Sequence, residues 1–254
     1  MWRRGLAALV AIFGVVTAGA ARAEAIRLRA DDWCPFNCSV AKKGYGVEVA
    51  EAVFAAAGLQ VQYQLEPWSR SLEDCLRGGN DAVIGAAPVD SPDLVFGEEP
   101  IGQWDSTFVV RKGRDWRYEG VASLEQVKLA AIIGYIYMDP VGGYIEANKK
   151  NRARVNQIGG TQPLEQSLKM VAAGRIDTTL ESRAVLDYKL KEMGLADALD
   201  YAGGTQSGPI YIAFSPKNPK AHDYARLLDQ GIRAMRADGR LKQILDRYGV
   251  RDWK

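Results

Sequence analysis

The feature that most constrains this chain is a repeat in its middle. Laid over itself with an offset of 96 residues, "PWSRSLEDCLRGGNDAVIGA" falls on "PLEQSLKMVAAGRIDTTLES". Pro67 meets Pro163, Ser71-Leu72 meets Ser167-Leu168, Gly78 meets Gly174, and Asp81 meets Asp177. Each copy reads as a proline in the first helical turn, an amphipathic helix, a glycine stop, and a strand entered through aspartate. An apolar strand opens each copy upstream, "LRADDW" (28–33) and "LAAIIGY" (129–135). A chain written this way predicts two similar α/β lobes with largely parallel strands.

The flanking segments fit that plan. In "GVEVAEAVFAAAG", Val47, Ala50, Val53, Phe54 and Ala57 share one helical face and Gly58 supplies the stop. "VQYQLEPW" and "DAVIGAA" read as strands. "DSTFVVRKG" (105–113) is placed to pass from the first lobe to the second, and "GPIYIAFSPKNP" (208–219) to return. Asn218-Pro219 caps a helix from about Lys220 to Met235, and a last helix, Arg240 to Tyr248, follows the Asp238-Gly239 break. Lobe 1 is therefore expected over 24–110 with 209–254, and lobe 2 over 111–208. Two crossing strands make a hinge, and the cleft between the carboxyl ends of the strands is where a ligand is expected.

The first residues, "MWRRGLAALVAIFGVVTAGAARAEA", put Arg3 and Arg4 ahead of an apolar run and a small-x-small triplet Ala21-Arg22-Ala23. They read as a secretory signal peptide, 1–23, cut after Ala23; the alternative, an uncleaved anchor, would need a longer apolar run. Cleavage takes Arg3, Arg4 and Arg22 from the 33 basic residues and none of the 31 acids, leaving a net charge near −1. That balance lacks the basic footprint of a nucleic-acid partner. Export places Cys34, Cys38 and Cys75 in an oxidising compartment. Cys34 and Cys38 in "CPFNC" are expected to form a disulfide, with free thiols as the alternative. A zinc site would want two more ligands, and His222 is the only histidine. Cys75 reads as a small core residue.

"GYGVEVAEAVFAAAGL", "LRGGNDAVIGA", "FVVRKG", "SLEQVKLAAIIGY", "MVAAGRID" and "RADGRLKQILDRYGV", in this order, resemble the periplasmic solute-binding proteins of polar amino-acid ABC transporters, family 3. The resemblance implies the two-lobed periplasmic binding protein type II fold, closing on a small polar ligand. In two places the chain departs from that family. Its amino-acid-binding members usually carry an Arg after the third strand that grips the ligand carboxylate, whereas "AAPVDSPDLVF" here has none. The Asp that meets the ligand ammonium falls on Ser182, beside Glu181.

Nine residues are ligand candidates. Trp33 follows the first strand, where the family often sets an aromatic, or it braces the Cys34–Cys38 loop. Asp32 accepts from a ligand amine or caps that loop. Trp68 and Arg70 replace Leu164 and Gln166 of the twin helix. A guanidinium at a helix N-terminus makes an anion site rather than a better helix, unless Arg70 is solvated or paired with Glu66 or Glu73. Tyr135 and Tyr137 in "GYIYMDP" stack on the ligand or pack between the lobes. Thr161 is either a plain N-cap before Pro163 or a ligand contact. Glu181 and Ser182 complete the set: Glu181 suits a cationic group, with Arg183 as its local partner otherwise.

The expected function is that of a monomeric periplasmic binding protein that captures a small polar, carboxylate-bearing ligand for an inner-membrane ABC permease. No cofactor and no metal are expected. A sensory or accessory domain without transport is the alternative. A dehydratase-like enzyme on the same fold is a further one: Asp32, Asp139 and Glu181 could move protons, but no histidine, Ser-His-Asp or phosphate-loop pattern accompanies them.

Overall fold

The structure, a computed structural model, describes residues 25–254; the expected signal peptide lies outside the described residues. Strand β1 (Ala25–Ala30) points Ile26, Leu28 and Ala30 into the core on every second residue. Helix α1 (Tyr45–Ala56) leads to β2 (Gln60–Leu65), and α2 (Trp68–Arg77) leads to β3 (Ala82–Ala86). Both strands lie parallel to β1, one on each side. On α1, Val47, Ala50, Val53 and Phe54 are buried as their spacing predicts. Ala57 is exposed instead, because the helix has ended before it.

The second half repeats the arrangement. β5 (Leu129–Ile132) is followed by α3 (Val141–Asn148), β6 (Val155–Ile158), α4 (Pro163–Ala172), β7 (Thr178–Glu181) and α5 (Arg183–Glu192). β5 pairs in parallel with β6 and β7, as β1 does with β2 and β3. The aspartates of the repeat have equivalent jobs. Asp81 takes the backbone N–H of Arg27 at 2.9 Å, and Asp177 takes that of Lys128 at 2.7 Å. In return, the Asp81 and Asp177 N–H groups donate to the Arg27 and Lys128 carbonyls, both at 3.0 Å. Each aspartate thus clamps the entry of its strand to the neighbouring strand. Gly78 and Gly174 end their helices with φ of 85° and 68°, a left-handed turn that costs a glycine little. The prolines differ: Pro163 opens α4, but Pro67 lies one residue ahead of α2.

β4 (Gly102–Arg111) and β8 (Leu199–Phe214) join the halves. They run antiparallel to each other from Gly102↔Ile210 to Arg111↔Leu199. The far end of β8 pairs with β3 and the far end of β4 with β7, giving one eight-stranded sheet in the order β2-β1-β3-β8-β4-β7-β5-β6. α6 (Ala221–Ala237) and α7 (Arg240–Tyr248) close the chain against α1. α6 starts one residue later than expected, with Asn218 Oδ1 accepting the Lys220 N–H at 2.9 Å. The largest core cluster runs through both halves, from Phe36 and Phe54 to Leu168 and Leu186; a second gathers Phe108, Trp116 and Leu129. Cys75 is a buried free thiol, as its place on α2 predicts. Among the described residues, no helix is long and apolar enough to cross a membrane.

Candidate ligand cleft

The carboxyl ends of β1, β3, β5 and β7 face one cleft, crossed by the middle of β4. It encloses about 820 Å³ of empty space, part of it open solvent. Asp31 and Trp33 enter it just past β1, where the chain turns into the Cys34–Cys38 loop, closed by a disulfide as expected. That loop fixes the pair from behind. Trp33 N–H donates to the Asn37 carbonyl at 2.7 Å, Asn37 Nδ2 donates to the Asp31 carbonyl at 2.9 Å, and the Trp33 ring stacks on Phe36 at 4.4 Å. Bracing the loop and lining the cleft are therefore both Trp33 roles. β3 bulges between Ile84 and Ala86, and Gly85 there has φ 92°. That backbone is one side chains rarely adopt, so glycine fits the bulge, which packs at ordinary contact distance from the Trp33 ring.

Two hydrogen bonds span the cleft. Trp33 Nε1 donates to Glu181 Oε1 at 2.9 Å, and Tyr135 Oη donates to Asp31 Oδ2 at 2.7 Å. Glu181 Oε1 also accepts the Ser182 N–H at 2.7 Å. Tyr137 is held to its own half, its hydroxyl accepting the Ile132 N–H at 2.7 Å. Asp105 on β4 takes the Arg183 N–H at 2.7 Å and the Ser182 hydroxyl at 3.2 Å, so a carboxylate caps the first turn of α5.

Burial dominates the acid chemistry. It pushes the Glu181 carboxyl up to about 7, against the bonds from Ser182 and Trp33 and with help from Asp31 and Asp105. It lifts Asp31 to about 6 despite the Tyr135 bond, and Asp90 to about 6 despite the Ala87 N–H at 2.7 Å. Tyr135 and Tyr137 are both raised by burial and stay protonated donors.

Six of the nine sequence candidates line the cleft: Trp33, Trp68, Tyr135, Tyr137, Glu181 and Ser182. Three do not. Asp32 turns away to Lys189 Nζ at 3.2 Å, and its neighbour Asp31 takes the place expected of it. Arg70 is exposed on α2, and its side chain makes no hydrogen bond or ion pair to any described residue; Glu73 is engaged by Arg77 instead. Thr161 is exposed and caps nothing, since Gln162 precedes the first residue of α4. Arg183 pairs with Asp187 at 3.1 Å and lies 3.4 Å over the Tyr201 ring, leaving Trp33 as the Glu181 partner. Sequence reading did not single out Asp31, Asp90, Trp104 or Asp105. Asp90 stands in the very segment read for its missing Arg, and Trp104-Asp105 lie in the first half of the first crossing strand. Among the described residues, the completed lining holds four carboxylates, Asp31, Asp90, Asp105 and Glu181, and no Arg, Lys or His.

A sheet doubled about two crossing strands, with a polar and aromatic cleft between its halves, is the layout of a binding protein. Residues 28–251 match the model of the bacterial extracellular solute-binding proteins, family 3, and the chain belongs to that family. Among curated proteins it is similar to the probable amino-acid-binding protein YxeM of Bacillus subtilis (strain 168). The two are 27% identical over 210 residues, which cover 81% of this chain and 75% of YxeM. Among solved structures, one from work on glutathione import through GshT and the cystine ABC importer TcyBC of Streptococcus mutans superimposes with a TM-score of 0.73. It is 18% identical and covers 89% of this chain and 95% of that one. A histidine kinase sensor domain with similarity to periplasmic binding proteins superimposes with a TM-score of 0.72. It too is 18% identical, over 89% and 96% of the two chains.

Proposed function

We propose that this protein captures a small polar ligand between two lobes, 24–110 with 209–254 and 111–208, in the periplasm, and delivers it to an ABC permease of the inner membrane. The observation that carries the reading is the pair of bonds across the cleft, Trp33 to Glu181 and Tyr135 to Asp31. Each joins a residue beyond β1 to one on the β5 and β7 side, so these contacts exist only when the halves approach. A ligand that adds contacts in that arrangement draws the population toward it. Trp33, Trp68, Tyr135, Tyr137, Glu181 and Ser182 are the proposed contact set, with Asp31, Asp90 and Trp104 added from the lining. The expectation of a carboxylate on the ligand rests on Arg70, which the lining does not include.

The relative named as amino-acid-binding supports a small polar ligand, and the family membership supports binding over catalysis. A thermal-shift and calorimetric screen of amino acids, amines, carboxylates and oligopeptides checks the reading. A ligand with a dissociation constant around micromolar, about −8 kcal/mol, is the expected outcome. No response to any compound would remove the binding reading. Likeness to a sensor domain motivates the second reading, in which the same captured ligand is reported to a kinase. Loss of uptake of that ligand on deletion separates transport from sensing.

A further inference from the structure

We propose that the cleft selects a small organic cation, an amine or guanidinium carrying no carboxylate, held by Glu181 and Asp90 among the faces of Trp33, Trp68 and Trp104. This rests on the binding reading above and names its ligand class.

Three independent observations converge on it. The first is charge. Among the described residues, four carboxylates line the cleft and no cationic side chain does. Cations close to the lining in sequence are committed or turned away: Arg29 to the Leu28 and Gln62 carbonyls, Lys189 to Asp32, Glu165 and Glu192, Arg183 to Asp187, and Arg70 to solvent. Backbone amides at a helix start are the usual substitute when an anion must be bound without a cation. At the start of α5 the protein's own acids have taken them, for Ser182 N–H is bonded to Glu181 and Arg183 N–H to Asp105. A ligand carboxylate would meet like charge and find those donors occupied.

The second is unfinished hydrogen bonding. Glu181 is only 9% exposed, and its Oε1 takes two bonds, while no described residue donates to its Oε2. Asp90 uses Oδ2 for the Ala87 N–H, and no described residue donates to Oδ1. Both oxygens remain accessible from the cleft, and a ligand N–H would give each a charge-assisted bond there. Burial lifts both carboxyls above the ordinary range, the mark of acids that lack a cation nearby.

The third is the aromatic lining, in which Trp33, Trp68, Trp104, Tyr135 and Tyr137 share the cleft with those acids. Aromatic faces attract cations and offer an anion nothing comparable. Together the acids and rings reject the zwitterion at its carboxylate and keep its amine.

The test is isothermal titration of the purified mature protein with two matched pairs, agmatine against arginine and putrescine against ornithine, and with glutamate. The members of each pair differ only in the carboxylate. Tighter binding of a decarboxylated member, by about tenfold or more, is the expected result. Glu181→Gln keeps the Trp33 and Ser182 bonds but removes the charge, and should weaken that binding about ten- to a hundredfold. Asp90→Asn is the second variant should Glu181→Gln not fold, with the same direction expected. Arginine, ornithine or glutamate binding as tightly as agmatine or putrescine overturns the inference and leaves the binding reading intact. Undiminished cation binding in both variants overturns it as well. No binding by any compound here or in the wider screen overturns both.

Discussion

Glu181 shows how one residue ties stability to function. In the unfolded chain its carboxyl titrates near the ordinary 4.5, and in the fold burial raises it to about 7. The folded state therefore binds a proton the unfolded state gives up, and this group's contribution falls as pH rises from about 4.5 through 7. Glu181→Gln should raise the melting stability of the ligand-free protein at pH 8, by on the order of 1–3 kcal/mol, with the gain shrinking toward pH 5. Denaturation of both proteins at the two pH values checks it; a variant less stable than the parent at pH 8 contradicts it. Glu99 runs the other way. Burial works to raise its carboxyl, but Lys254, Arg233 and Arg236 bond to it and hold it at about 2. Its contribution is present above about 4.5 and is lost as pH falls toward 2. Glu99→Gln should therefore destabilise at pH 7 by about 2 kcal/mol and much less in acid, read by the same denaturation series. Little of this was legible in sequence. Glu181 stood out for its place beside Ser182 at the end of a strand, but Trp33, its partner, is 148 residues away, and nothing local distinguishes Asp31, which faces the cleft, from Asp32, which does not.

At the level of elements the sequence was far more legible, because helix and strand patterns are local. The repeat foretold α2 with β3 and α4 with β7, and the structure supplies the reason its aspartates recur: each clamps its strand to a neighbour through the same two backbone bonds. Thr161 is not the N-cap of α4 for an equally local reason, since α4 begins two residues later and Gln162 intervenes. The Cys34–Cys38 loop is the element on which the cleft most depends, because it holds both Asp31 and Trp33 from behind. Closing so short a loop removes little unfolded-state freedom, so Cys34→Ser with Cys38→Ser should cost about 2 kcal/mol. Its larger effect should fall on ligand affinity, as Trp33 and Asp31 lose their backing. Calorimetry and urea unfolding of the double variant separate the two, and unaltered affinity would show that the loop positions nothing.

At the level of the whole molecule, two strands carry every covalent crossing between the halves of the sheet. β4 and β8 stay paired through the crossing, with register shifts between Asp105 and Thr107 and between Thr107 and Val109. Irregular pairing of this kind leaves fewer ladder bonds to resist bending, which suits a hinge. Asp105 stands at that first irregularity and caps α5, coupling the crossing strand to the β7 side of the cleft. The cleft therefore sits beside the crossing strands, between the halves of the sheet. Its lining joins residues from the ends of several strands far apart in sequence, which is why Arg70 at a helix start suggested a carboxylate ligand and the assembled surface suggests a cation.

The most direct test of that assembled surface is a crystal structure of the protein with agmatine. The account predicts the ligand inside the cleft, with a nitrogen about 3 Å from Glu181 Oε2 and its carbon chain against the Trp33 and Trp68 rings. Agmatine bound elsewhere, or an amino acid in the cleft with its carboxylate gripped by Arg70, would contradict it.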